Sequence, residues 1–363
     1  MAKANQSDFE IGGRAIGPGE RTTVDLPVAR LYTHAPIAMP VHVVRSRRPG
    51  ATLFVSAAIH GDELNGVEII RRLLRSRAMR RLRGTLVAIP IVNVHGFIDR
   101  SRYLPDRRDL NRCFPGSDHG SLAARLAHLF MTEIVERCTH GVDLHTGAIH
   151  RSILPQIRAN LDDSETDRLA RCFEVPVLLN DTVRDGSLRQ AAAERGIPML
   201  LYEAGEALRF DETSIRAGVR GIINVMRALD MLPTARGRKQ PREPVVARAS
   251  NWVRAPISGV FRAVLPLGAQ VARNGLLGVV ADPFGEREAE VTSPHDGIII
   301  GRCNLPLANE GDALFNIARF TAVDDAAARV EAFHEYYQPD DAGAFSPYGA
   351  SSRSAVTDSD EPS

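Results

Sequence analysis

The chain has 363 residues, of which 44% are hydrophobic and 25% charged, and its formal net charge is +1. The length exceeds that of one ordinary domain, and the nearly neutral charge gives no overall attraction to nucleic acid or anionic lipid. The sequence has no apolar stretch long enough to cross a bilayer, and its N-terminal segment lacks the apolar core of a secretion signal, so we expect a cytoplasmic protein with no membrane partner.

The first two segments of the chain differ in pattern. Residues 1–40 mix Gly, Pro and short apolar pieces, and we expect an N-terminal extension with one or two strands. Residues 41–232 alternate between short β-branched apolar runs and segments with helical spacing of apolar residues. The predicted strands are VHVVRS, TLFVSAAI, TLVAIPIV, GVDLH, VPVLL and MLLYEAG, and the predicted helices are LNGVEIIRRLLRS, SLAARLAHLFMTEIVERC and DETSIRAGVRGIINVMRAL. This alternation predicts an α/β domain with a mixed, mostly parallel sheet and helices on both faces.

A run of seven arginines among thirteen residues, from Arg71 to Arg83, is the one strongly basic segment. Because Lys3 and Lys239 are the only lysines, we interpret the run as arginine-biased composition on a solvated helix face. Nucleic-acid binding by this run is the weakest alternative, and we expect no nucleic-acid partner.

The C-terminal third changes character. Residues 233–244 are polar, basic and proline-bearing, as is typical of a linker, and we place the linker at residues 233–248. Residues 249–321 contain many short apolar runs separated by Gly and Pro, which predicts a small β domain without helices. Residues 322–363 form a C-terminal segment, whose Asp, Ser, Gly and Pro content predicts disorder from about residue 339.

The β domain carries a weak internal repeat, in which Pro256-Ile-Ser-Gly259 is echoed by Pro294-His-Asp-Gly297. Two similar halves favour a pseudo-symmetric sandwich, and the pattern resembles the biotinyl/lipoyl carrier domain. Carrier domains attach their cofactor to a hairpin lysine, which residues 249–321 lack. We therefore expect a structural role, such as covering an edge of the preceding domain or shaping its entrance.

Two potential metal ligands lie where an apolar strand ends and a helix begins. In AAIHGDELNGVEII, His60 and Glu63 fall on the connecting turn, and an imidazole with a carboxylate suits zinc. A catalytic zinc needs a third protein ligand, and His145, at the end of the strand GVDLH, is the best candidate. Asn93 and Glu203 also end apolar runs, and open α/β sheets bind ligands beyond the carboxyl ends of their strands. The alternative is that these histidines are a helix cap and a hydrogen-bonded core residue.

Four motifs in this order resemble the succinylglutamate desuccinylase/aspartoacylase family, which is related to the zinc carboxypeptidases. They are His60-Gly-Asp-Glu63, the stretch from Arg102 to Arg112 with its continuation Cys-Phe-Pro-Gly, Asp143-Leu-His145, and Glu203-Ala-Gly. The resemblance covers roughly residues 40–320 and implies a zinc carboxypeptidase-like fold with one Zn²⁺ per chain.

The resemblance also implies residue roles. His60, Glu63 and His145 would bind zinc, and Glu203 would be the catalytic carboxylate. Arg102 would polarise the scissile carbonyl, although Arg107 and Arg108 are rivals for that role because the stretch after Arg102 is slightly longer than in aspartoacylases. The Asn111–Arg112 pair would hold a substrate carboxylate, and Arg189 would contact the carboxylate of the acyl group or of the side chain. Asp143 could orient His145, but such an aspartate more often ties a turn together.

The implied reaction is attack of metal-activated water on the amide bond of an N-acyl amino acid or a short peptide, with Glu203 first accepting and then returning a proton. The same ligand set would serve carboxypeptidase-like removal of a terminal amino acid. A non-catalytic zinc- or ligand-binding protein is the alternative from another class. The identity of the acyl group and homo-oligomerisation stay open.

Overall fold

The computed structural model describes residues 9–180, 185–234 and 243–337. Its strands are β1 (Phe9–Ile11), β2 (Arg14–Ile16), β3 (Arg21–Arg30), β4 (Pro36–Arg45), β5 (Thr52–Ala57), β6 (Thr85–Ile89), β7 (His140–Gly147), β8 (Arg151–Ala159), β9 (Val177–Asn180), β10 (Met199–Glu206), β11 (Val245–Ala247), β12 (Ala249–Arg254), β13 (Gly259–Ala263), β14 (Gln270–Val271), β15 (Leu276–Ala281), β16 (Glu288–Thr292), β17 (Gly297–Cys303), β18 (Leu307–Ala308) and β19 (Ala313–Arg319). Its α-helices are α1 (Asn65–Arg75), α2 (Val94–Asp99), α3 (Leu122–Glu133), α4 (Ser164–Phe173), α5 (Leu188–Ala193), α6 (Glu212–Ala228) and α7 (Val323–Tyr337). Short 3-10 helices span Arg77–Arg81, Leu110–Arg112 and Val135–Arg137.

A thirteen-stranded sheet runs through the molecule in the order β12-β19-β17-β8-β10-β7-β5-β6-β4-β3, with β9, β11 and β14 off this path. The four strands β10, β7, β5 and β6 are mutually parallel, and β9 is parallel to β8 and β11. The strands next to the central four, β8 and β4, are antiparallel to their inner neighbours. The predicted mixed α/β sheet is therefore confirmed, with its parallel part at the centre.

Helices cover both faces of this sheet because the central strands are apolar on both sides. On β5, Leu53 and Val55 pack in the core beneath α1, α4 and α6, whereas Phe54 packs in a second core with Phe130 of α3 on the opposite face. All of these side chains are buried. Near-continuous apolar runs such as TLFVSA are typical of strands buried on both faces.

The N-terminal extension contains more structure than predicted. Residues 9–40 hold three whole strands, and a fourth, β4, extends to Arg45. β3 and β4 form a long antiparallel pair that continues the main sheet, because β4 pairs with β6. The expectation of one or two strands was too low, since the alternating burial of β3 gives a weaker sequence signal than the apolar runs of the central strands.

The strands of residues 249–321 form two sheets, and this range contains no helix. β16, β15, β13 and β18 make a separate four-stranded sheet. In contrast, β12, β19 and β17 continue the main sheet, because β17 pairs with β8. Phe261 from the first sheet and Phe315 from the second meet in the core between them. The strands therefore make a sandwich that shares one layer with the α/β part.

Two of the segments predicted after residue 232 contain elements that were not predicted. β11 lies within the range predicted as a linker and pairs with β9, and α7 begins the segment after residue 321. Residues 235–242 of the linker, and the predicted disorder from about residue 339, lie outside the described residues. No helix in the described ranges is both long enough and apolar enough to span a membrane.

Candidate active site

The turn between β5 and α1 brings His60 and Glu63 together. Both side chains are buried, and His60 Nδ1 lies 2.7 Å from Glu63 Oε1. His145, near the end of β7, directs its Nδ1 atom to the other carboxylate oxygen at 2.8 Å. One nitrogen or oxygen atom from each of the three residues lies within 4.8 Å of the others. The structure therefore brings the three predicted metal ligands to one point.

The second nitrogen of each imidazole is bound by an aspartate. His60 Nε2 lies 3.0 Å from Asp109 Oδ1, and His145 Nε2 lies 2.6 Å from Asp143 Oδ2. A metal-binding histidine usually donates its other N–H to such a carboxylate, which fixes its tautomer and ring orientation. Two imidazoles and one carboxylate with these partners match the three protein ligands of an open divalent-cation site.

Charge controls protonation in this cluster. Burial alone would lower the pKa of His145, but Asp143 and Glu63 outweigh it and raise this pKa well above its usual value. Burial would raise the pKa of Glu63, yet His60 and His145 hold it far below its usual range. Without a cation, the carboxylate is therefore ionised and the imidazoles tend to hold protons, so cation binding would release those protons.

Glu203 lies on β10 at the border of the same cavity. Its Oε1 atom is 3.6 Å from Arg158 Nη1 on β8, and about one fifth of its side chain is exposed. The Glu203 carboxylate is therefore accessible from the cavity and lies beside the guanidinium group of Arg158. A group that exchanges protons with a bound molecule needs such access.

The three arginines considered for polarising the scissile carbonyl all lie in the loop after α2, but only one of them borders the cavity. Arg102 borders the cavity, donates from Nη2 to Asp109 Oδ2 at 3.0 Å and has Nη1 3.3 Å from Glu63 Oε1. Arg107 and Arg108 are exposed and do not line the cavity, and Arg108 pairs with Asp106 at 3.3 Å. Of the three, Arg102 is the one that reaches the site.

The predicted substrate-binding residues meet at the cavity from two segments. Asn111 is buried and accepts a hydrogen bond from the Leu188 backbone N–H at 2.9 Å, which joins its segment to the start of α5. Arg112 is exposed next to it, and Arg189 on α5 is buried. Asn111, Arg112 and Arg189 all line the cavity, whose volume is about 190 Å³.

Comparison with known proteins places the sequence in a family. The model of the succinylglutamate desuccinylase/aspartoacylase catalytic domain matches residues 49–229, which include every candidate residue described above. The chain belongs to the succinylglutamate desuccinylase/aspartoacylase family.

Relatives within the succinylglutamate desuccinylase/aspartoacylase family include named deacylases. The chain is 26% identical over 297 residues to an N-alpha-acetyl-L-2,4-diaminobutyric acid deacetylase from Halomonas elongata, covering 78% of this chain and 86% of that protein. It is 31% identical over 166 residues to a succinylglutamate desuccinylase from Pseudomonas aeruginosa, covering 43% and 48%, respectively. Both relatives are named for the removal of an acyl group from an amino acid.

Solved structures show the same family fold. The product-bound ectoine utilization protein EutE (DoeB) from Ruegeria pomeroyi has a TM-score of 0.74 at 23% identity, covering 83% of this chain and 95% of that one. A succinylglutamate desuccinylase/aspartoacylase from Rhodobacter sphaeroides has the same TM-score at 25% identity, covering 84% and 95%.

In this member of the succinylglutamate desuccinylase/aspartoacylase family, several cavity residues were missed by the sequence analysis, among them two arginines, a tryptophan and an asparagine. Arg151 and Arg158 come from β8, and Trp252 and Asn316 come from β12 and β19. β8 itself was not predicted, because Pro155 interrupts its apolar pattern. The sequence pattern of residues 249–321 could not place Trp252 and Asn316 at the cavity. Their closeness to the cavity depends on how the C-terminal strands join the main sheet.

Proposed function

We propose that the protein is a zinc-dependent amidohydrolase that removes the acyl group from an N-acyl amino acid or a similar small carboxylate-bearing amide. The observation that carries this proposal is the meeting of His60, Glu63 and His145 in one cavity that Glu203 also lines. Deacylation, rather than removal of a terminal amino acid, is favoured by the names of the relatives from Halomonas and Pseudomonas.

The ligand set supports zinc as the metal. Zinc, which is intermediate between hard and soft cations, binds well to two neutral imidazoles and one carboxylate. Asp109 and Asp143, which contact His60 and His145 respectively, would hold these imidazoles in the required tautomer. When bound, zinc supplies a Lewis acid that activates water and polarises a carbonyl group.

The remaining residues would perform the proton transfers and hold the substrate. Glu203 would accept a proton from the attacking water and return it to the leaving nitrogen. Arg102 would donate hydrogen bonds to the carbonyl oxygen as negative charge develops there. Asn111 and Arg112 would bind a free carboxylate of the substrate, because a guanidinium group matches a carboxylate in shape and charge. Arg189 would contact a carboxylate of the acyl group or of the side chain.

We extend the proposal to the C-terminal strands. Residues 249–321 would be a carrier-like β domain without an attached cofactor, and its function would be to complete the cavity. Trp252 and Asn316, which border the cavity from this segment, support that role.

The test is an activity assay on the purified chain with acetyl-, succinyl- and glutamyl-amino acids and with dipeptides. We expect release of the acyl acid, loss of activity on chelation and recovery on addition of Zn²⁺. His145→Ala should bind less metal and be inactive, whereas Arg107→Gln, outside the cavity, should behave like wild type. Release of a terminal amino acid from dipeptides alone would favour the carboxypeptidase alternative, and zinc binding without hydrolysis of any amide would favour the non-catalytic one.

A further inference from the structure

A second group of cavities lies at the edge of the central sheet opposite the candidate metal site. Gly50 precedes β5 and Arg83 precedes β6, whereas His60 follows the carboxyl end of β5. Because a strand rises about 3.3 Å per residue, the six residues of β5 separate the two edges by roughly 20 Å. A cavity of about 440 Å³ at the amino-terminal edge is bordered by the connection between β4 and β5, the residues just before β6 and the residues after α6. None of these residues borders the metal cavity.

Five arginines border this space. Arg48 and Arg83 line the first cavity, Arg77 and Arg227 line an adjoining cavity of about 770 Å³, and Arg81 lines both. We call the two cavities together the arginine cavity. The basic run that the sequence shows between residues 71 and 83 is therefore more than a solvated helix face, because beyond α1 it supplies three of these five arginines.

Few negative charges balance these arginines. Within the described residues, the four arginines other than Arg227 form no ion pair with a carboxylate. Asp230 is the one acidic residue among the described residues that border the arginine cavity, and it pairs with none of the four. Residues 235–242, which follow the cavity segment and lie outside the described residues, contain four basic residues and no acidic one. Because like charges repel one another at short range, an anion in the arginine cavity would stabilise the cluster.

The backbone that carries these arginines is held by hydrogen bonds between the three segments. Gly84 N donates to Arg48 O at 2.8 Å. Arg83 N donates to Met231 O, also at 2.8 Å. A Cβ atom at Gly50 would lie 2.9 Å from Gly84 N, so glycine at this position lets the two turns pack closely. The arginine side chains therefore project from fixed positions, which lowers the entropic cost of binding one ligand with several of them.

We propose that the arginine cavity binds a small molecule that carries two or more phosphoryl groups. A guanidinium group donates paired hydrogen bonds to phosphate oxygens, and several phosphoryl charges would balance several arginines. Leu229, Leu232 and Pro233 border the same space and provide an apolar wall for the rest of the molecule. A cavity bounded by three segments favours a small ligand over an extended nucleic-acid backbone. The site goes beyond the proposed deacylase function and does not depend on it.

Calorimetric titration of the purified chain with pyrophosphate tests the site, because pyrophosphate carries two phosphoryl groups and nothing else. We expect pyrophosphate to bind about tenfold or more tightly than sulfate, since it can pair with more arginines at once. Arg81→Met should weaken pyrophosphate binding about tenfold or more, because an ion pair with hydrogen bonds is lost. Sulfate binding as tight as that of pyrophosphate would mean an adventitious anion only and would overturn the proposal.

Arg80→Met is the matched control for Arg81→Met. Arg80 lies on the same 3-10 helix and is exposed, but it borders neither part of the arginine cavity. The two variants lose the same charge from adjacent positions, so a difference between them reports the cavity rather than the net charge. We expect Arg80→Met to bind pyrophosphate like wild type. Equal binding by wild type, Arg80→Met and Arg81→Met would overturn the site.

Two further measurements separate the arginine cavity from other places where phosphate groups bind. If pyrophosphate occupies the metal cavity instead, Arg112→Met should weaken binding and Arg81→Met should not, which would overturn the proposal. A short DNA oligonucleotide tests the surface as a whole. Tighter binding of this oligonucleotide than of pyrophosphate, lost equally in Arg80→Met and Arg81→Met, would assign the phosphate contacts to an extended basic surface and also overturn it. Failure to hydrolyse any amide would refute the deacylase function alone, because these titrations do not involve the reaction.

Discussion

Glu203 on β10 lies directly opposite His145 on β7 in the parallel register of these two strands. Both residues line the cavity, so their side chains project from the same face of the sheet. Their proximity is set by the backbone pairing of two buried strands rather than by a loop. A change in the Glu203 side chain can therefore remove its chemistry without moving His145.

This relationship predicts a specific loss in Glu203→Gln. The amide cannot accept and return a proton, so we expect kcat to fall roughly 100- to 10,000-fold, with metal content equal to that of wild type. Steady-state kinetics with metal analysis of the same preparation measures both, and Glu194→Gln, at the exposed position directly after α5, is the control. Full activity in Glu203→Gln would contradict the proton role, and lost metal would mean that Glu203 acts through the metal site.

Asp143→Asn should weaken metal binding. Asp143 Oδ2 lies 2.6 Å from His145 Nε2, and its other oxygen accepts a hydrogen bond from Ser56 Oγ at 2.7 Å. Loss of the carboxylate charge should raise the zinc Kd about 10- to 100-fold, as measured by competition with a chelating dye. Asp118→Asn, at an exposed loop position, is the matched control. An unchanged Kd in Asp143→Asn would mean that this aspartate only ties the strands together.

Gly61→Ala should destabilise the turn that carries the candidate ligands. A Cβ atom at Gly61 would lie 1.9 Å from the backbone carbon of Gly96, so one of the two segments must move. We expect a loss of roughly 1–3 kcal/mol in the free energy of unfolding, measured by urea denaturation, together with weaker metal binding. Gly17→Ala, where the new Cβ atom would lie 3.9 Å from Glu20 Oε2, should have little effect. Wild-type stability in Gly61→Ala would contradict the close packing of these segments.

The pH dependence of stability should report the ion pairs of Glu68 on α1. Hydrogen bonds from Arg71 and Arg72 lower the pKa of Glu68 to about 2. Because the pKa is lower in the folded state than in the unfolded state, the stabilisation is fully present above the unfolded value of about 4.3 and is lost as the pH falls toward 2. Glu68→Gln should therefore lower the free energy of unfolding by about 1 kcal/mol at pH 7.

Urea denaturation of wild type and Glu68→Gln between pH 7 and pH 2.5 tests this expectation. The difference between the two proteins should narrow below about pH 4.3. A difference that stays constant over this range would show that Glu68 acts through packing rather than through its charge.

Much of the architecture could be predicted from local patterns. The six predicted strands and three predicted helices all correspond to elements of the structure, because apolar runs and helical spacing record which faces must be buried. The candidate metal ligands could also be predicted from local patterns. His60 and His145 follow or end buried strands, and parallel central strands bring such ends to one edge of a sheet.

Other features required the tertiary structure. Asp109 is 49 residues from His60, and its hydrogen bond to that imidazole depends on the path of the loop after α2. That path also decides that Arg102, and not Arg107 or Arg108, reaches the site. No periodicity encodes the conformation of such a loop, because it is set by contacts between residues far apart in sequence.

The sequence by itself determined the types of element, the chemical groups available for a metal and the motifs of the family. Only the tertiary structure decided that β17 joins β8, which places Trp252 and Asn316 beside a site whose candidate ligands belong to the α/β part. The physical reason is that local sequence determines which residues must be buried, whereas strand order and register arise from the packing of the whole chain.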